Sequence, residues 1–130
     1  MAKTPVLLQV DGYQDREVQK VEYTFNKATD DEGQLSGIVR GGKITFVLKA
    51  LNDGNPDMLD WMVQRNLAKN GVIVFNETKS GAEMKKIEFT NAYCVSYKED
   101  WQDKKMHTET FTITCQSIKF TNITYDNAWS

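Results

Sequence analysis

The chain has 130 residues, 40% hydrophobic, 26% charged and 11% aromatic, with a formal net charge of −2. That length suits one domain, residues 1–130, with one core, and the composition is too apolar for a disordered chain. The near-neutral charge offers no global field to nucleic acid or an anionic membrane, and no apolar run approaches the ~18 residues of a membrane span.

The N-terminal stretch MAKTPVLLQVDG carries one lysine and a short apolar run. It lacks the apolar h-region and small-residue cleavage site of a secretory signal, so the chain is expected to fold in the cytosol. Residues 5–10 (PVLLQV) read as a short strand that is apolar on both faces. Residues 17–26 (EVQKVEYTFN) alternate, with Val21, Tyr23 and Phe25 on one face and Lys20, Glu22 and Thr24 on the other. The next 16 residues, 27–42 (KATDDEGQLSGIVRGG), read as an extended loop, longer than most connections and therefore a candidate for function. Residues 43–51 alternate again, Ile44, Phe46, Leu48 and Ala50 inward, Thr45, Val47 and Lys49 outward.

A helix is predicted over about 56–69. Asn55 supplies the N-cap, Pro56 the first helical position and Asp57 an early acidic charge. Leu59, Met62, Val63 and Leu67 recur at helical spacing, Trp61 and Met58 widen the apolar side, and Lys69-Asn70-Gly71 closes the segment. A short β-rich run follows at 71–77.

Residues 85–101 then alternate for far longer than the usual strand of about five or six residues. Ile87, Phe89, Tyr93, Val95, Tyr97 and Trp101 hold one parity; Thr90, Ala92, Cys94, Ser96 and Lys98 hold the other. A turn-prone segment at 99–105 predicts a hairpin to a last strand, 106–120, in which Thr108, Thr110, Thr112, Thr114 and Gln116 oppose Phe111 and Ile113. Cys94 and Cys115 fall on opposite faces by this parity, poor geometry for a disulfide, so two free thiols are expected. The pattern is a mainly β fold, a barrel or sandwich with one helix.

Catalytic signals are missing. The single histidine, His107, lies on a strand among threonines, and no CxxC, HExxH, GxGxxG or P-loop pattern occurs. Asp30-Asp31-Glu32 lacks EF-hand spacing, and the single Arg40-Gly41-Gly42 has no basic surround. No enzyme, cofactor or metal site is expected.

The order of the pieces carries a resemblance. LLQVDGYQDREV opens the chain, RGGKITF follows the long loop, LDWM lies on the helix, and AYCVSYKE leads to TETFTITCQSIKF. Over essentially its whole length the chain resembles the tube proteins of type VI secretion systems, the haemolysin-coregulated protein family (Hcp, or TssD), in its Bacteroidetes branch. The resemblance implies an antiparallel β-barrel related to phage tail tubes, closing into hexameric rings that stack head-to-tail. It implies partners in the contractile sheath, the spike and effector proteins held in the lumen. It also implies assembly in the cytoplasm followed by export without a signal peptide.

On that resemblance, the polar strand faces become the lumen lining: Lys20, Glu22, Thr24, Thr45, Lys49, Ser96, Lys98, Thr108, Thr110, Thr112 and Thr114, with Thr90 and Ala92. The loop, with Asp30, Asp31, Glu32, Leu35, Ile38, Val39 and Arg40, becomes the contact to a neighbouring subunit or the next ring. From alternation alone, such a face is what any antiparallel sheet turns to water. Two alternatives stand beside the tube: a tail-tube subunit of a phage-like injection particle, and a monomeric barrel that binds an apolar ligand.

Overall fold

The computed structural model describes residues 6–29, 35–40, 42–50, 55–76, 83–120 and 123–126, with the backbone alone for 26–29, 35–40 and 83–84. The described elements are β1 (Val6–Val10), β2 (Arg16–Tyr23), β3 (Asn26–Thr29), β4 (Leu35–Arg40), β5 (Lys43–Lys49), α1 (Asp57–Val63), β6 (Lys69–Asn76), β7 (Glu83–Asp100), β8 (Thr108–Phe120) and β9 (Ile123–Asp126). Strands neighbour one another in the order β5-β2-β1-β6-β7-β8, all antiparallel, and β5 also pairs with β8. Six strands thus close into a barrel, which removes the open edges an isolated sheet would expose. The short β9 joins β8 beyond the stretch that β5 occupies.

Alternation builds the core. Leu8, Val10, Ile44, Phe46, Leu48, Ile73, Phe111 and Ile113 are buried inside the barrel. Phe46 and Phe111 face each other in register and stack with centroids 5.0 Å apart. Each such side chain contributes about 1.5–3 kcal/mol by leaving water.

The helix is shorter than the predicted 56–69. The Asn55 side chain does reach the Asp57 N–H, at 2.8 Å. Gln64, however, is already extended and Asn66 is left-handed at φ 60°, so the helix ends at Val63. Lys69, Asn70 and Gly71 belong to β6 instead of a helix cap. The packed face also differs: Met58 and Trp61 are its buried residues, while Leu59 and Val63 are 42% and 67% exposed. A helix of two turns can bury only what points straight down. Here that is Trp61, which stacks on Phe89 and donates its indole N–H to the Leu67 carbonyl at 3.0 Å.

Strand β7 departs from strict alternation at two places. Asn91 adopts φ 48°, a register shift separates the Phe89–Gly71 and Ala92–Lys69 pairs, and the Asn91 amide donates to Gln116 Oε1 at 2.6 Å. A second shift lies between Cys94 and Ser96 against β8. Each extra residue turns the following side chains to the other face. The core therefore takes Ile87 and Phe89, then Ala92 and Cys94, then Tyr97. Tyr93 and Val95, expected inside, leave the core, with Val95 46% exposed. Ala92, expected among the lining residues, is fully buried. Cys94 and Cys115 are buried in the same core, correcting their expected opposite facing, and neither forms a disulfide.

The segment 27–42, expected as a loop, contains most of a hairpin. Strands β3 and β4 pair through Asn26–Arg40, Lys27–Val39 and Thr29–Leu35 as a separate two-stranded sheet. Of the loop residues expected at a ring contact, Leu35, Ile38, Val39 and Arg40 lie on β4. Asp30, Asp31 and Glu32 lie outside the described residues.

Candidate functional site

Barrel closure decides which polar faces meet. Strands β2, β5, β8 and β7 are consecutive neighbours, so their outward faces form one wall. The register places Glu22 opposite Thr45, Thr45 opposite Thr112 and Thr112 opposite Ser96. The next row runs Lys20, Val47, Thr110, Lys98, and the one after it Lys49, Thr108, Asp100. At the other side of the first row stand Lys43, Thr114 and Tyr93. With strands about 4.8 Å apart, a four-strand row spans about 14 Å. Lys20, Glu22, Thr24, Lys49, Ser96 and Lys98 are exposed, and the five threonines Thr45, Thr108, Thr110, Thr112 and Thr114 are half-buried. Thr24 lies just past the end of β2, at the margin of the wall.

The wall's chemistry is that of small hydroxyls interspersed with charge of both signs. Thr45 and Thr112 share a hydroxyl–hydroxyl hydrogen bond of 3.0 Å, and Lys20 and Glu22 form an exposed ion pair at 3.5 Å. Such a pair contributes little to stability. Among the described residues no group of His, Cys, Asp and Glu could hold a metal ion. The row structure offers hydration and weak, interchangeable contacts, with Val47 and Tyr93 its apolar members. Lys43 was legible from its parity with Thr45; Tyr93 was hidden by the Asn91 slip.

A second polar constellation sits at the barrel end near α1. Arg16 and Glu109 are buried and paired through Nη2 and Oε2, and the same Nη2 donates to the Lys49 carbonyl at 3.0 Å. The Tyr97 hydroxyl lies 2.7 Å from Glu109 Oε1 and 3.1 Å from Glu99 Oε1, so its one proton binds Glu109 more closely. His107 Nε2 donates to Glu99 Oε2 at 2.6 Å. Hydrogen bonds from His107 and then Tyr97 hold the Glu99 carboxyl below its ordinary range, whereas burial, followed by the bond to Glu109, pushes the Tyr97 phenol up. A cavity of about 240 Å³ opens beside this chain, lined also by Ala50, Asn55, Pro56 and Leu59. The arrangement ties β2, β5, β7 and β8 together. Parity with Phe111 and Ile113 points Glu109 inward, a signal already present in the sequence.

Among the described residues, Phe46, Phe111, Trp61 and Phe89 pack on one another in the barrel interior, where a ligand barrel would keep its apolar chamber.

Comparison with known proteins adds the following. Residues 3–130 match the family model described as Hemolysin coregulated protein Hcp (TssD). No curated protein matches the chain. The structure is similar to that of Hcp1 from Flavobacterium johnsoniae, at 32% identity and TM-score 0.87, covering 94% of this chain and 98% of that one. It is similar to a variant of Hcp1 from the E. coli EAEC 042 pathovar, at 19% identity and TM-score 0.79, covering 98% and 100%. A fold likeness at 12% identity and TM-score 0.56 extends to a chain of the anti-feeding prophage baseplate, covering 88% and 89%.

Proposed function

Since the chain belongs to the Hcp (TssD) family and is a type VI secretion tube subunit, we propose that its β2–β5–β8–β7 wall lines the lumen of a hexameric ring. The observation that carries this reading is the register. Glu22, Thr45, Thr112 and Ser96 come from four separate segments of chain, yet lie in one row on the face turned away from the core. A wall of hydroxyls and scattered charge stays hydrated and grips nothing tightly, which suits a conduit for folded effectors. The filled interior disfavours the ligand-binding barrel. The baseplate likeness is one of fold alone, and family membership favours the secretion tube over a phage-like particle.

The chain acts as one domain. The β3–β4 hairpin, a sheet apart from the barrel, is the arm that reaches a neighbouring subunit through Leu35, Ile38, Val39 and Arg40, together with Asp30, Asp31 and Glu32. Rings stack inside a contractile sheath under a spike, hold effectors, and leave the cell with the tube. The work is mechanical, and no residue serves a reaction.

The test is native mass by light scattering with negative-stain images, on the parent chain and on Ser96→Cys labelled with maleimide nanogold. Six-membered rings with gold in the central hole are expected. A monomer at all concentrations overturns the ring, and gold on the outer rim overturns the lining.

A further inference from the structure

The two ends of the barrel carry opposite kinds of apolar feature. At one end Tyr23, Phe25, Phe120, Ile123, Thr124 and Tyr125 line a groove of about 530 Å³. Its floor is aromatic: Phe25 packs against Tyr125 and Phe120 with centroids 4.8 and 5.8 Å away. Ile123 stands 71% exposed on the short β9. Such an apolar groove is costly to leave in water.

At the other end is the β7–β8 turn. Lys105 N–H donates to the Gln102 carbonyl at 3.0 Å and Lys104 is left-handed at φ 65°, so the tip is a tight, hydrogen-bonded turn. It presents Trp101, 67% exposed, and Met106, 54% exposed. Groove and tip are separated by the 13 residues of β8, about 40 Å along the strand.

Charge follows the same division. Lys85 stands beside the groove, its Nζ 3.1 Å from the Tyr23 hydroxyl and 6.0 Å from the Phe120 ring centre. It has no carboxylate partner among the described residues. Trp101 lies between Asp100 and Asp103 in the chain, both exposed and likewise without a cationic partner among the described residues. Lys104 and Lys105, on the far half of the turn, have a counterpart in the exposed Asp126 of β9.

We propose that the aromatic groove at the Phe120 end receives the Trp101 tip of a second copy of this chain, with Asp100 and Asp103 set against Lys85. The contact is heterologous, one patch against a different patch, and both lie at opposite ends of one barrel. Joining opposite ends of one barrel, such a contact repeats along an axis unless its rotation closes a ring. It gives axial growth a residue-level basis in the barrel, separate from the β3–β4 arm. The inference rests on the tube reading only for the ring that presents the tips together.

The test uses two full-length chains, Gln102→Cys at the tip and Thr124→Cys at the groove rim, both at exposed positions. Each is treated with bis-maleimidoethane alone and after mixing, and products are separated under denaturing conditions. The mixture is expected to give at least tenfold more cross-linked dimer than either chain alone, and Trp101→Ser in the tip chain should lower that yield at least tenfold. No product from the mixture, or equal self-cross-linking by one chain, overturns the contact. Native mass of the same samples separates the two readings: hexamers without cross-link remove this contact and keep the tube subunit. Monomers that cross-link tip to groove keep the contact and remove the ring.

Discussion

Replacing Glu109 by Gln leaves a buried guanidinium without its counter-charge. The Arg16 side chain is fully buried and that of Glu109 is 5% exposed, so water cannot take over. Arg16 Nε and Nη1 already lack hydrogen-bond partners among the described residues. After Glu109→Gln the charge keeps the Lys49 carbonyl as its main acceptor. Removing one member of a buried pair costs about 3–5 kcal/mol, against a total stability of about 5–15 kcal/mol. For a chain of this length that is a fall of about 10–20 °C in Tm. The assay is urea and thermal unfolding followed by tryptophan fluorescence at fixed protomer concentration, because assembly stabilises by mass action. The double variant Arg16→Met/Glu109→Leu removes both charges and should recover most of the loss, since a well-packed apolar pair replaces an ion pair at little cost. A fall below about 3 °C for Glu109→Gln, or a double variant no more stable than the single, refutes the reasoning.

Three further outcomes are expected. Gly71→Ala places a methyl 2.4 Å from Phe89 Cζ and 2.7 Å from the Gln9 carbonyl oxygen; backbone cannot yield there, and unfolding in urea should show a loss of about 1–3 kcal/mol. Hydrogen bonds from His107 and Tyr97 hold the Glu99 carboxyl below the ordinary glutamate range in the folded protein, so its contribution is present above that ordinary range and is lost as pH falls through the lower folded value. Urea midpoints between pH 6 and 3 should decline less in Glu99→Gln than in the parent, by a few tenths of a kcal/mol because the group is exposed. Burial pushes the Cys94 and Cys115 thiols to about 11 and about 12. At pH 8 a two-unit rise cuts the thiolate about 100-fold, so the folded protein should react with a disulfide reagent at least that much more slowly than the urea-unfolded chain.

Much of the barrel was legible because alternation is a local consequence of strand geometry. Ile44, Phe46 and Leu48, like Phe111 and Ile113, need only their own segments to declare which face is buried. The same locality placed Thr45 opposite in sense to Phe46, and Thr112 to Phe111, before any pairing was known. What failed locally was whatever depended on a neighbour. The helix ended early because the chain is already extended at Gln64, and its packed face is Met58 and Trp61 because the barrel mouth accepts those two. The β7 slips at Asn91 and Val95 arise from register against β6 and β8, and they moved Ala92 and Cys94 inward and Tyr93 and Val95 outward. The hairpin in 27–42 and the short β9 carry too few alternating residues to stand out as strands by themselves.

The chain alone therefore determined the class of fold, the core positions of its regular strands and the polar character of the faces opposite them, since each follows from side-chain direction along one strand. Only the tertiary structure decided which polar faces meet. Pairing of β5 with both β2 and β8 is a long-range event that sets Glu22, Thr45 and Thr112 in one row, which the β7–β8 pairing extends to Ser96. It also buries Arg16, from the start of the chain, against Glu109 from near its end.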